Sequence, residues 1–209
     1  MLEHWNERYK NEEYAYGVEP NAYLKEQLHS IPPGKILFPA EGEGRNAVYA
    51  AELGWDVWAF DQSIEGKHKA DKLAMSKNVT IKYQVGEFSE LNFEENFFDA
   101  IALIYAHFPS NLKSKYNQKL AKYLKVNGVL IFEAFSKTHL EFNLKNPKVG
   151  GPKDKEMLYS LDEIKNDFNN FNTTELIETN TNLSEGLYHI GEGSVIRFRG
   201  TKSESINNS

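Results

Sequence analysis

The sequence predicts an α/β fold with a mostly parallel sheet that ends in an antiparallel hairpin. Short apolar segments alternate with amphipathic ones from residue 35 to residue 135, at the spacing of parallel crossovers. Residues 99–105 are apolar on both faces, which is typical of a strand inside such a sheet. Residues 175–183 and 187–199 are predicted as two strands joined by a short turn at 184–186, which indicates the terminal hairpin.

The remaining elements follow from local signals. The parallel strands are predicted at 35–38, 56–60, 79–83, 99–105 and 129–135. Helices are predicted at 47–53, at 64–77 and from Ser110 to a stop at Gly128. Asn21 is expected to cap an earlier helix, and Ser160 with Glu163 forms a capping box for a helix that ends near residue 168. Residues 141–156 are polar and are predicted as a long loop.

Length and composition indicate one domain and exclude several kinds of site. We expect a single domain over 1–200, with a lid segment at 1–30 and a disordered tail at 201–209, among 209 residues in all. The chain has no cysteine, which excludes disulfides, thiolate metal sites and a cysteine nucleophile, and its six histidines show no ligand spacing, so no metal is expected. The net charge of −6 argues against a nucleic-acid partner. The apolar runs are short and the first residues have no apolar core, so we expect a cytoplasmic protein without a membrane partner.

The first predicted strand is followed by a glycine-rich turn that indicates a cofactor site. Ligands of open α/β folds bind beyond the carboxyl ends of the strands. Gly42 and Gly44 let a ligand approach the backbone, and the helix that follows offers free N–H groups to an anion. Asp61 closes the second strand, 17 residues after Gly44, where its carboxylate can accept hydrogen bonds from both hydroxyls of a ribose.

The spacing alone does not distinguish between cofactors. Gly42, Gly44 and Ala47 also satisfy the dinucleotide fingerprint. However, Glu41 and Glu43 flank the turn, and two carboxylates disfavour a pyrophosphate but suit a sulfonium or ammonium charge. S-adenosylmethionine carries both of these charges, a ribose diol and one small carboxylate for the helix end. Two other functions remain as alternatives: a module that binds this cofactor without catalysis, and a nicotinamide-dependent oxidoreductase.

Residues 36–47 resemble motif I of the class I S-adenosylmethionine-dependent methyltransferases. Further segments are similar to the bacterial group around the tellurite-resistance and thiopurine methyltransferases, namely 5–9, 16–21, 86–88, 98–99, 107–109 and 185–189. The resemblance implies a Rossmann-like sandwich of about seven strands and methyl transfer to a small-molecule acceptor, with a soft sulfur, selenium or tellurium nucleophile as the favoured kind. Motif I departs from its usual form because Phe38 and Ala40 stand where an acidic residue and the first of three glycines are usual, so we expect Glu41 to substitute for the acid.

The same resemblance assigns expected roles to individual residues. Glu87 is expected to reach the adenine amino group and the Phe88 backbone to meet the adenine ring. The full expected cofactor set is Tyr16, Ala40, Glu41, Gly42, Asp61, Gln62, Gly86, Glu87, Phe88 and Tyr105.

The acceptor side is expected to hold aromatic residues and two histidines. Trp5, Tyr9 and Tyr16 are expected to form a lid over the cofactor, because aromatic faces attract a sulfonium cation and a lid excludes water. Trp5 and Tyr9 are also expected beside the substrate. His107 is the leading candidate for a catalytic residue, and His189 is expected beside the substrate. A soft acceptor arrives ionised, so we expect both histidines to shape the pocket rather than transfer protons. The expected assembly is a monomer or a homodimer.

Overall fold

A computed structural model describes residues 2–204 and has one seven-stranded sheet in that range. The strand order is β3-β2-β1-β4-β5-β7-β6, in which the first five strands are parallel and β7 is antiparallel to both of its neighbours. The strands are β1 (Lys35–Pro39), β2 (Asp56–Asp61), β3 (Lys82–Val85), β4 (Phe98–Ile104), β5 (Leu124–Phe135), β6 (Phe171–Glu185) and β7 (His189–Lys202). The predicted fold class is therefore confirmed.

Helices cover both faces of the sheet because neighbouring residues of the parallel strands point to opposite sides. The helices are α1 (Leu2–Tyr9), α2 (Ala22–Leu28), α3 (Arg45–Glu52), α4 (Ile64–Ser76), α5 (Lys113–Tyr123), α6 (His139–Lys145) and α7 (Leu161–Asp167). In β1, Ile36 and Phe38 are fully buried in the layer with α2, α3 and α4, whereas Leu37 is fully buried in the layer with α5 and α7. Burying each of these side chains contributes roughly 1.5–3 kcal/mol.

Two predicted helix signals are present as expected. The Asn21 side chain accepts a hydrogen bond from the Leu24 N–H at 2.9 Å and so caps α2. The capping box of α7 is complete, because the Ser160 side chain accepts from the Glu163 N–H while the Glu163 side chain accepts from the Ser160 N–H.

Several predicted boundaries are wrong. Strand β3 lies at Lys82–Val85 rather than 79–83. Helix α5 ends at Tyr123 and not at Gly128, because Leu124 already pairs with Phe98 of β4 and residues 125–128 belong to β5. The predicted loop 141–156 contains most of α6 and two short 3₁₀ turns, which carry too little periodicity to be seen in the sequence.

The terminal hairpin is longer than predicted at both ends. Strand β7 continues to Lys202, whose ammonium group donates to the Leu124 carbonyl at 2.6 Å, so the tail predicted from residue 201 begins inside a strand. Residues 205–209 of that predicted tail lie outside the described residues.

The turn before α3 requires a glycine for two separate reasons, which can be measured apart. Gly44 has a φ of 87°, and an added Cβ would lie 2.5 Å from the Ala70 Cβ of α4. Gly54 has a similar φ of 89°, but an added Cβ there meets nothing within 4 Å.

We expect Gly54→Ala to lower the free energy of unfolding by about 1 kcal/mol through backbone strain alone. Gly44→Ala should lower it by about 2–4 kcal/mol, because overpacking adds to the strain.

Urea denaturation of the two variants tests this expectation. Equal losses of unfolding free energy in Gly44→Ala and Gly54→Ala would show that α4 moves away from the added methyl group without an energetic cost.

Candidate active site

A cavity of about 420 Å³ opens beyond the carboxyl ends of the parallel strands, where the sequence predicts the cofactor. This volume is in the usual range for small-molecule sites. The predicted site residues that line the cavity are Trp5, Tyr9, Tyr16, Ala40, Glu41, Asp61, Gln62, Gly86, Glu87, Phe88, Tyr105, His107 and His189. Gly42 is not in the cavity wall. It lies beneath Tyr9, and a Cβ at Gly42 would be 2.6 Å from the Tyr9 hydroxyl.

The turn after β1 is built from residues in the left-handed conformation. Ala40, Gly42 and Gly44 have φ values of 52°, 64° and 87°. Ala40 therefore adopts the conformation that a glycine adopts more easily, at a cost of roughly 1–2 kcal/mol. Phe38, at the other atypical position, is fully buried in the core. The departures from motif I thus leave the left-handed geometry of the turn in place.

Asp61 connects this turn to the start of α4. Its Oδ2 accepts a hydrogen bond from the Gly42 N–H at 3.1 Å, and its Oδ1 accepts from the Ser63 N–H at 2.8 Å. Burial raises the pKa of Asp61 to about 6, although the two backbone bonds act in the opposite direction. The carboxylate is fixed at the cavity wall with lone pairs that these bonds do not use.

The amino end of α3 is not free, contrary to the expectation that it would receive an anion. The Glu41 Oε1 accepts from the N–H groups of Asn46 and Ala47 at 2.9 and 2.8 Å. Burial raises the pKa of Glu41 to about 7, and these two hydrogen bonds and the charge of Arg45 oppose the shift. The protein's own carboxylate therefore occupies the site that a ligand anion would use.

Glu43 does not line the cavity, so the prediction that two carboxylates flank the cofactor is wrong for Glu43. It accepts a hydrogen bond from the Ala15 N–H at 2.8 Å and forms an ion pair with Lys69 at 2.6 Å. Glu43 is 4% exposed and fixes the N-terminal segment instead of facing a ligand.

The predicted lid segment has two parts that differ in how they are held. Residues 11–17 are tied down, because the Lys69 ammonium group donates to the carbonyls of Asn11 and Glu13 at 2.7 Å each. The Leu187 N–H also donates to the Ala15 carbonyl at 2.8 Å. Helix α1 lies across the cavity and carries Trp5 and Tyr9, whose rings stack with centroids 5.5 Å apart.

The other end of the cavity is aromatic and is organised around Phe135. Ring centroids of Tyr105, His107 and His189 lie 4.7, 5.7 and 5.2 Å from that of Phe135. His139 stacks on Phe135 at 3.9 Å. Phe135 is not among the predicted site residues, and its place at the end of a predicted parallel strand is the signal that could have found it.

A loop that follows α6 closes this aromatic end. The His139 Nε2 lies 3.0 Å from the Gly150 carbonyl, and Asn143 donates to the same oxygen at 2.7 Å. Residues 151–153 and Met157 then line the cavity. From the sequence, this segment is predicted only as a loop.

His107 is held as a neutral imidazole. Its Nδ1 lies 3.1 Å from the Met157 carbonyl, so Nδ1 carries the proton and Nε2 is an acceptor. The Nε2 atom is buried and has no hydrogen-bond partner among residues 2–204. Burial lowers the pKa of His107 to about 4, against the opposing effect of the Met157 bond.

His189 belongs to a buried polar network. Its Nδ1 lies 2.8 Å from Glu185, which also accepts from Arg45 at 2.9 Å. Burial lowers the pKa of His189, although the adjacent Glu185 opposes this shift. Burial alone would raise the pKa of Glu185, but His189 and Arg45 together lower it to about 2.

Residues 2–204 contain no group of three histidine, cysteine, aspartate or glutamate side chains arranged to hold a metal ion. In the same range, no helix is both long and apolar enough to cross a bilayer.

Comparison with known proteins identifies the domain. Residues 36–128 match the family model described as a methyltransferase domain. These residues form a methyltransferase domain. The predictions of an S-adenosylmethionine-dependent methyltransferase, of an enzyme and of this cofactor are thereby confirmed. The narrower resemblance to tellurite-resistance and thiopurine methyltransferases stays a prediction. No curated protein matches the chain.

Solved structures share the fold of this methyltransferase at low identity. One, described for the conversion of a disulfide bond into a thioacetal group during echinomycin biosynthesis, has a TM-score of 0.77 at 16% identity over 97% of this chain and 92% of that one. TehB from Haemophilus influenzae has a TM-score of 0.70 at 18% identity, over 88% and 62%. Magnesium protoporphyrin IX methyltransferase (ChlM) from Synechocystis PCC 6803, with bound SAH, has a TM-score of 0.65 at 16% identity, over 86% and 82%.

The low pKa of His107 gives a pH dependence of stability with a definite sign. The unfolded chain binds a proton near the ordinary histidine pKa, whereas folded His107 does so only near pH 4. The stabilising contribution of His107 is therefore present in full at pH values above the pKa of a histidine in the unfolded chain. This contribution is lost as the pH falls from there towards 4. Between about pH 7 and pH 5 we expect His107 to account for a loss of about 2 kcal/mol.

Denaturant unfolding of the wild type and of His107→Asn at several pH values measures this contribution. The variant should have a shallower pH slope, and His68→Asn, a change at an exposed position of α4, controls for the loss of one histidine. Equal slopes in wild type and His107→Asn would contradict the assignment.

Proposed function

We propose that the methyltransferase transfers a methyl group to a small-molecule acceptor with a soft sulfur, selenium or tellurium nucleophile. The observation that carries the proposal is the state of His107, whose pKa of about 4 makes it a poor base at neutral pH. Burial also moves the pKa of His189 down and that of Tyr105 up, away from neutrality. A hydroxyl or amine acceptor needs a base with a pKa near the working pH, whereas a thiolate or a reduced chalcogen anion does not.

Two further lining groups, Glu41 and Asp61, have pKa values of about 7 and about 6, but both are engaged elsewhere. The Glu41 Oε1 is bound to the first turn of α3, and the Asp61 carboxylate accepts from the Gly42 and Ser63 N–H groups. The place of both groups beside the turn after β1 favours a role towards the cofactor rather than towards the acceptor.

The residues of the cavity fit S-adenosylmethionine. Asp61 presents a fixed carboxylate for ribose hydroxyls, and Gln62 follows it in the wall. Glu87 and Phe88 line the same end and would hold the adenine, and the backbone at Ala40 would accommodate the methionine part. The Tyr105 hydroxyl is buried without a hydrogen-bond partner among residues 2–204, as expected of a group that a ligand satisfies. When bound, the cofactor supplies the electrophilic methyl group.

The part that the chain plays in the reaction is positioning and exclusion of water. Trp5 and Tyr9 cover the cavity, and Tyr105 and Phe135 place aromatic rings at the acceptor end, where they favour a cationic sulfur. Alignment of this kind accounts for a large part of the barrier reduction in two-reactant steps. The Nε2 of His107 can accept a hydrogen bond from a polar group of the acceptor other than the ionised nucleophile, and so orient the acceptor.

The cytoplasmic location, the absence of a nucleic-acid or membrane partner, and the monomer or homodimer state stay predictions from the sequence.

Asp61 provides a direct test of the cofactor site. We expect Asp61→Ala to weaken the binding of S-adenosylhomocysteine by about 1.5–3 kcal/mol, because charged hydrogen bonds to the ribose are lost. Asp56→Ala is the matched control, since Asp56 begins the same strand and pairs with Lys82 at the surface. Isothermal titration calorimetry should give an unchanged affinity for the control. An unchanged affinity in Asp61→Ala would show that S-adenosylhomocysteine does not bind beside Asp61.

His107 tests the kind of acceptor. With a panel of thiols, selenite and tellurite under reducing conditions, His107→Asn should lower the rate only about tenfold, or about 1.4 kcal/mol of barrier. The pH–rate profile should follow the ionisation of the acceptor. A thousandfold loss, together with the disappearance of a histidine-like pKa from the profile, would instead make His107 the general base.

A further inference from the structure

Arg8 is a cation in the wall of the cavity whose neighbours are aromatic. It lies on α1, and its Nη1 donates to the Tyr16 hydroxyl at 2.7 Å. Its guanidinium carbon lies 4.4 Å from the ring centroid of Tyr188 and 5.2 Å from that of Trp5. These contacts hold the guanidinium group in one orientation, and none of them neutralises its charge.

Arg45, the other arginine that lines the cavity, is already paired. It forms an ion pair with Glu185 at 2.9 Å. Among residues 2–204, no carboxylate lies within ion-pair distance of Arg8. A partly buried guanidinium group without a counter-charge favours an anionic ligand at this position.

The cofactor brings one carboxylate, and the place expected for it from the sequence, the amino end of α3, is taken. The amino end of α3 would attract an anion, but Glu41 already accepts from the Asn46 and Ala47 N–H groups. A second carboxylate there would find both N–H groups already bound and the Glu41 carboxyl group at close range. The methionine end of the cofactor also carries an ammonium group, which the Glu41 carboxylate suits. The cofactor carboxylate therefore needs another cation.

We propose that Arg8 binds the carboxylate of the cofactor's methionine moiety in place of the helix end. The inference rests on the proposed cofactor site. It assigns to α1 a second role besides covering the cavity, because the same helix then senses the charged end of the cofactor. Tyr16 serves as a positioning residue, since its hydroxyl fixes the guanidinium group.

Two ligands that differ at the methionine end test this assignment. S-adenosylhomocysteine has the carboxylate, whereas 5′-methylthioadenosine keeps the adenine, ribose and sulfur but has neither the carboxylate nor the ammonium group. By calorimetry, Arg8→Gln should weaken S-adenosylhomocysteine about 10- to 30-fold, or about 1.4–2 kcal/mol. The affinity for methylthioadenosine should change less than about twofold, since that ligand makes no charged contact with Arg8.

Matched variants keep the result specific. Arg8→Lys retains the charge and should recover part of the affinity for S-adenosylhomocysteine. Lys10→Gln removes an exposed cation that follows α1 directly and lies outside the cavity wall, and it should leave both affinities unchanged. Retained binding of methylthioadenosine also shows that Arg8→Gln is folded.

Two results would overturn the inference. Equal weakening of both ligands in Arg8→Gln would show that Arg8 acts only through the position of α1, and an unchanged affinity for S-adenosylhomocysteine would show that Arg8 does not contact the carboxylate. Failure of the proposed cofactor site itself would give other results. Either the wild type would bind neither ligand, or Asp61→Ala would leave both affinities unchanged.

Discussion

Three carboxylates around the turn after β1 hold the site together through bonds to backbone N–H groups. Glu41 binds the first turn of α3, Glu43 binds the N-terminal segment at Ala15, and Asp61 binds the turn itself and the start of α4. Each side chain satisfies an amide that would otherwise be left unpaired at a cost of about 1–3 kcal/mol. Helix α3, helix α4 and the lid segment therefore all depend on this one turn for their positions.

The two ends of the cavity differ in chemistry. The end near Asp61 and Glu87 offers carboxylates and backbone groups for a polar nucleoside. The end near Phe135 is aromatic, and its imidazole and phenol groups are uncharged at neutral pH because burial disfavours their charged forms. A reaction between two bound reactants then depends on their alignment in this aromatic end more than on proton transfer.

The sequence predicted the sheet and the general place of the site. The alternation of apolar and amphipathic segments indicates the strands and helices, and ligands of parallel sheets bind at the carboxyl ends of the strands. The sequence could not predict which way Glu41 and Glu43 turn, since either rotamer suits a short acidic turn and only the packed neighbours decide. It also missed Arg8 and Phe135, although both lie in segments of known type. The end of α5 was misplaced because Leu124 gains more from pairing with Phe98 than from one more helical turn.

The position of β7 between β5 and β6 affects the order in which the protein folds. A ribosome makes β5 and β6 before β7, so these two strands have no partner on their facing edges until residues 189–202 emerge. The Leu187 N–H bond to Ala15 joins segments separated by most of the chain, and such distant pairing is slow to form. A nascent chain of this protein thus exposes the open edge of β5 while residues 136–188 are made, a condition in which chaperones protect against aggregation.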